Sequence, residues 1–171
     1  MKKLGFISIF CVCCFSFSYG QSVKSKTFLQ GAYQGSSLMS TTLNSLIPQF
    51  QPYDTVPWSY TGSETINPVP PNMDDWVLVE LREASYPEII VARRAALLLD
   101  NGDVVDVDLS TVLNFAGVIP GNYYLCIYHR NHIPVMSAYP VALPNSVPYD
   151  FSDTLNFPPF GGGSKALIEL E

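Results

Sequence analysis

Two histidines three positions apart, His129 and His132, flank Arg130, and a carboxylate pair stands at Asp74-Asp75. Those residue types serve metal binding and acid–base chemistry: imidazoles ligate zinc and carry protons near neutral pH, and paired carboxylates cleave glycosidic bonds. On a strand, residues three apart point to opposite faces, so the histidines can share an ion only if the chain bends between them. The structural reading is therefore preferred, and no metal is expected. His129, Arg130 and His132 make hydrogen bonds at a strand end, with Glu80 or Asp75 as partner. Asp74-Asp75 leads a loop into a strand.

The oxygen-rich run Asp100, Asn101, Asp103, Asp106 and Asp108 has ligand types that calcium prefers. The spacing does not support a calcium loop, because no glutamate closes it, and a turn plus a solvated strand face explains these residues. No cofactor is expected. No Gly-x-Ser-x-Gly elbow is present, and no Ser-His-Asp set can be assembled from the sequence, so the chain is expected not to be an enzyme. A hydrolase using Asp75 or His129 is the catalytic alternative. Tyr33, Tyr53, Trp58 and Tyr60 are the candidate ligand-binding residues, an aromatic platform for a sugar, with lids over the core as their structural alternative.

The chain opens with Lys2 and Lys3, an apolar run from Leu4 to Phe17 and the small-residue end Ser18-Tyr19-Gly20. This is the pattern of a secretory signal peptide over residues 1–20. The run is shorter than the roughly 20 residues a spanning helix needs, so no membrane span is expected in the mature chain. Residues 21–150 are expected to form one domain, and 151–171 a flexible tail rich in Pro and Gly, with Gly161-Gly162-Gly163-Ser164 as a joint. Cleavage takes the basic residues from 9 to 7 against 15 acidic ones, moving the formal charge from −6 to −8. An acidic surface repels phosphate backbones, so nucleic acid is not expected as a partner. Three of the four cysteines lie in the signal peptide, which leaves Cys126 without a disulfide partner and reads it as a small buried hydrophobe.

Short β-rich runs separated by Pro and Gly favour an all-β fold, an antiparallel β-sandwich of immunoglobulin-like or jelly-roll-like form. Thr27 to Tyr33 reads as a first strand. Residues Ile47 to Pro71 carry Pro48, Pro52, Pro57, Pro68, Pro70 and Pro71, which makes them a long ordered crossing with at most edge pairing. From Trp76 to Arg82 the side chains alternate, with Val77, Val79 and Leu81 on the core face. Ile90 to Leu99 has helix-forming composition, but Asn101-Gly102 is a hairpin signal that demands a strand before it and predicts positive φ at both turn positions. Val104 to Asp108 then alternates. Asn122 to Arg130 and Pro134 to Leu143 read as the last long strands, with Asn131-His132 near the bend between them.

Several ordered motifs carry a family resemblance. They are Leu29-Gln30-Gly31-Ala32-Tyr33, Met39 to Asn44, Gln51-Pro52-Tyr53, Pro57-Trp58-Ser59-Tyr60, Asp75 to Arg82, Ala92 to Asp103, and Gly121 to Ala138 with His129-Arg130-Asn131-His132 inside it. Together they resemble a β-rich module found near the C-terminus of large secreted, surface-associated proteins of Bacteroidota and related bacteria, described as hemagglutinin-like or uncharacterised. The resemblance implies export, a β-rich fold and a place beside adhesive domains, and it carries over no catalytic residues. Relatives commonly continue into calcium loops or a sorting domain, which the residues up to Glu171 do not contain, so calcium binding and attachment are not transferred. The expected role is a secreted, non-catalytic structural or adhesion-like binding module at the cell surface or outside the cell, with the periplasm as the other destination. The expected partner is a glycan or a cell-surface protein.

Overall fold

Prolines and glycines cut the chain into short extended runs. The computed structural model, which describes residues 20–161, arranges them as strands. In chain order these are β1 (Gly20–Val23), β2 (Ser25–Lys26), β3 (Tyr33–Gly35), β4 (Leu38–Met39), β5 (Met73–Glu83), β6 (Ile90–Leu99), β7 (Asp103–Val105), β8 (Leu113–Ala116), β9 (Gly121–His129), β10 (His132–Met136), β11 (Val141–Leu143) and β12 (Tyr149–Asp150). The main sheet runs β10-β9-β5-β6-β7-β2-β12, with β11 also paired to β9. Its pairs are antiparallel except β2 with β12. The all-β, antiparallel, sandwich-like architecture expected from the alternation is the one observed.

Strand β5 is central, paired with β6 on one side and β9 on the other. Every residue from Trp76 to Leu81 is buried. Burial of both faces follows from the layers above and below the sheet. On one face Val77, Val79 and Leu81 join Ala96, Leu98, Leu125 and Ile127 in a core closed by Val23, Leu113 and Phe115 of the small β1–β8 sheet. On the other, Trp76, Leu78, Ala95 and Leu97 lie under Ile47 and Tyr53, with Trp58, Tyr60, Ile66 and Val69 packed beside them. Each fully buried large side chain contributes about 1.5–3 kcal/mol relative to exposure.

The Pro-rich crossing is thus the second layer of the fold. Its prolines cannot donate to a ladder, and beyond the single bridge Phe50–Thr65 its order comes from local main-chain bonds, Tyr60 to the Tyr53 carbonyl at 2.7 Å and Ser59 to the Thr55 carbonyl at 2.8 Å, and from side chains. Gln51 is buried, accepts from the Tyr53 amide at 2.7 Å and donates to the Gly62 carbonyl at 2.9 Å. Trp76 donates its indole N–H to the Pro48 carbonyl at 2.8 Å.

Several expectations are corrected. Thr27 to Tyr33 is not a strand: β2 ends at Lys26, and Leu29 accepts main-chain bonds from Ala32 and Tyr33 in a turn. Ile90 to Leu99 is a strand with the expected bounds, yet only Gly102 of the Asn101-Gly102 pair has positive φ, at +87°. The Gly102 amide closes the turn on the Leu99 carbonyl, and Asn101 braces it by accepting from the Asp103 amide at 3.0 Å. A longer turn with one left-handed glycine replaces the two-residue loop. Asp106 is not on a solvated face. It is buried and paired with Arg94 at 2.7 Å, because the chain turns after Val105. Pro134 to Leu143 is divided into β10 and β11.

Of the expected tail, residues 151–161 lie against the sheet. Phe151 is buried, Phe157 packs on the core, and Phe160 donates its amide to the Met136 carbonyl at 2.7 Å. Residues 162–171 lie outside the described residues. So does the expected signal peptide except Gly20, which opens β1. Cys126 is buried, and burial pushes its thiol up to about 11.

Candidate functional site

β9 ends at His129, the chain turns through Arg130-Asn131, and β10 begins at His132, which is the register partner of His129. The bend that the sequence argument required between the histidines is therefore present, and their Nδ1 atoms lie 2.8 Å apart. Asp75, on the neighbouring strand β5, reaches under the same turn. Its Oδ2 is 3.0 Å from His129 Nε2, and Arg130 donates to both of its oxygens at 2.7 and 2.8 Å.

The hydrogen bonds fix the proton positions. The Asn131 amide donates to His129 Nδ1 at 3.1 Å, so that nitrogen is an acceptor and His129 carries its hydrogen on Nε2, donated to Asp75. His132 must then donate from Nδ1 to His129. A relay runs from Asp75 through His129 to His132. Burial works against charge on Asp75, but the bonds from His129, Arg130 and the Trp76 amide outweigh it and hold the carboxyl below its ordinary range. Neighbouring Asp74 lacks such donors. Burial first, then the charge of Asp75, raise it to about 6.

Asp75, His129, Arg130 and His132 thus form one cluster, and Glu80 does not belong to it. Glu80 is buried further along β5, where Arg82 donates to it at 2.8 Å and Arg93 lies 3.5 Å away. Arg82 also donates to the Tyr128 hydroxyl at 2.8 Å. Among the described residues no three His, Cys, Asp or Glu side chains gather where a metal ion could be held. Nor is there a helix long and apolar enough to cross a membrane.

The aromatic platform is not assembled. Tyr53 has no exposed surface, and Trp58 packs edge-on against it with ring centres 5.2 Å apart. Tyr60 is tied to Glu64 at 2.6 Å. Tyr53 is part of the second core, and Trp58 and Tyr60 pack against it. Tyr33 stands apart from them, stacked edge-on to Phe28 at 5.4 Å.

Tyr33 instead borders a cleft of about 950 Å³ that sequence reasoning missed. The main sheet curls so that β10, at one end, faces the chain following β2 and β12, at the other. The cleft opens between these ends. Phe28, Leu29, Ile127, Val135, Phe151 and Phe160 supply apolar wall, and His129 and His132 lie at its edge. Hydrogen bonds between the tail and β10 with the residues after it, Phe160 to the Met136 carbonyl at 2.7 Å and Ala138 to the Pro158 carbonyl at 2.9 Å, close one end. Its residues come from three distant parts of the chain, and of the candidates singled out from the sequence Tyr33, His129 and His132 line it.

Fold and site together define an all-β, sandwich-like protein with a largely apolar cleft and an Asp-His-His relay, centred on buried His129, at its rim. Comparison of the chain with protein-family models, curated proteins and solved structures gave no match.

Proposed function

We propose that the chain is an exported, non-catalytic β module that acts by binding, at the cell surface or outside the cell. The cleft at the sheet ends carries this reading. Its volume and its lining, aromatic and aliphatic side chains with interspersed hydroxyl, amide and imidazole groups, are those of a ligand site. The signal-peptide pattern and the resemblance to surface-associated modules support export and an adhesion-like setting, with a glycan or cell-surface protein as partner class. Three of the carboxylates that could do acid–base work are already engaged. Asp75, Glu80 and Asp106 are each held by an arginine, which leaves none of them poised as a general base. A sugar platform on Trp58 is not part of the proposal, because that ring lies against Tyr53.

The test is uptake of the uncharged dye N-phenyl-1-naphthylamine by the full chain, followed by its fluorescence. Wild type takes it up, and Ile133→Trp, which fills the mouth of the cleft, weakens uptake about tenfold. No uptake, or equal uptake by both proteins, removes the reading.

A further inference from the structure

Among the polar groups lining the cleft, which include the side chains of Thr27, Gln30, Ser37 and Thr154, His132 is the one whose unused atom is set by a chain of hydrogen bonds behind it. With Nδ1 donating to His129, neutral His132 presents its lone pair on Nε2, and no described group hydrogen-bonds that atom. Gly31 lies beside it, at a distance where a Cβ would make ordinary van der Waals contact with Nε2, 3.6 Å. The relay behind it fixes the tautomer, because Asp75 accepts from His129 and His129 accepts from His132.

The lining restricts what can occupy this site. None of the cleft residues is Lys, Arg, Asp or Glu, in a chain of formal charge −6. A charged ligand would be desolvated there without a counterion. A neutral imidazole acceptor beside aromatic and aliphatic walls suits an apolar body bearing a hydrogen-bond donor. We infer that the cleft binds an uncharged amphiphile carrying a hydroxyl, which donates to Nε2 of His132 while the apolar body packs against Phe28, Ile127, Val135 and Phe160. Burial, and next His129, hold His132 below the ordinary histidine value against the pull of Asp75, so the acceptor form prevails at neutral pH.

The inference rests on the binding reading above and fails separately from it. The probes are 2-naphthol and its methyl ether, equal in body and differing in the donor. Wild type binds the naphthol about fivefold more tightly than the ether, the worth of one hydrogen bond of ~1 kcal/mol. His132→Phe abolishes that preference while retaining ether binding. A variant-free measurement accompanies it: in 15N spectra of the wild-type imidazoles, the naphthol shifts the Nε2 signal of His132 and the ether does not. Equal binding of the two probes by wild type, a preference that survives His132→Phe, or an unmoved Nε2 signal overturns the inference. Dye uptake blocked by Ile133→Trp would in each case leave the binding module standing.

Discussion

Tyr53 donates its hydroxyl hydrogen to the main-chain carbonyl of Trp76 at 2.7 Å, and neither residue has exposed surface. The bond ties the Pro-rich crossing to the central strand. Burial pushes the phenol far above its ordinary value, which keeps it a donor. Together with the indole bond from Trp76 to Pro48, it sews a segment without ladder partners onto the sheet at two points.

Tyr53→Phe keeps the ring and removes only the donor, leaving the buried carbonyl one partner short. The expected loss is about 1–2 kcal/mol, read as a lower urea midpoint at unchanged slope. An unchanged midpoint would show that this bond adds nothing to the hold supplied by apolar packing and by the bonds from Trp76 to Pro48 and from Arg93 to the Trp58 carbonyl.

Glu80 sets a sharper contrast between breaking an ion pair and replacing it. The carboxylate is 3 % exposed and serves Arg82 and Arg93, so Glu80→Gln leaves guanidinium charge facing a buried neutral group. That variant should lose about 3 kcal/mol, whereas Glu80→Leu combined with Arg82→Met should lose distinctly less, because the one guanidinium left without the carboxylate, Arg93, is partly exposed and keeps its bond to the Trp58 carbonyl at 2.6 Å. Chemical denaturation of both proteins decides it. Equal losses would mean that the network contributes shape rather than charge balance.

What the sequence disclosed follows from where period and chemistry agree. Val77, Val79 and Leu81 alternate against Trp76 and Leu78, so the faces of β5 were readable, and Asn101-Gly102 settled β6 against its helical composition. Proline density marked the crossing, though not that it forms a second layer over Trp76. For the site, Asp75, His129, Arg130 and His132 were legible as a group because each could satisfy another at a strand end. Glu80 was misplaced into it since two arginines on its own face claim it. The cleft was hidden because curling of the sheet, which no local pattern encodes, brings Phe28, Val135 and Phe160 together.

The adjacent carboxylates Asp74 and Asp75 should titrate with opposite consequences for stability. Asp75 is depressed in the folded state, so its contribution is present above its unfolded value near pH 4 and is lost as pH falls through the folded value. Asp74 is raised to about 6, so the fold is favoured with it protonated, and that advantage is lost as pH rises from about 4 to 6. Asp74→Asn should therefore stabilise at pH 7 by about 1 kcal/mol after solvent screening, with the gain vanishing below about pH 4. Asp75→Asn should destabilise at pH 7, with the loss shrinking in acid. Thermal unfolding of the two variants across this range tests both signs, and matching signs would refute the assignment.

Gly102 combines a backbone requirement with a spatial one. Its φ of +87° is costly for any side chain, and a Cβ there would lie 2.8 Å from Phe28 Cζ and 2.9 Å from the Thr27 carbonyl. Gly117 has a similar φ of +79° with nothing within 4 Å, so Gly117→Ala isolates the backbone cost, about 1 kcal/mol. Gly102→Ala should cost about 2–4 kcal/mol, since Phe28 and Thr27 must move as well. Those two residues also wall the cleft, so Gly102→Ala should weaken N-phenyl-1-naphthylamine uptake under conditions where the variant remains folded, while Gly117→Ala leaves it unchanged. Equal stability losses in the two variants would mean that the Phe28 segment yields freely. The cleft wall would then be soft on that side, and the dye would bind both proteins alike.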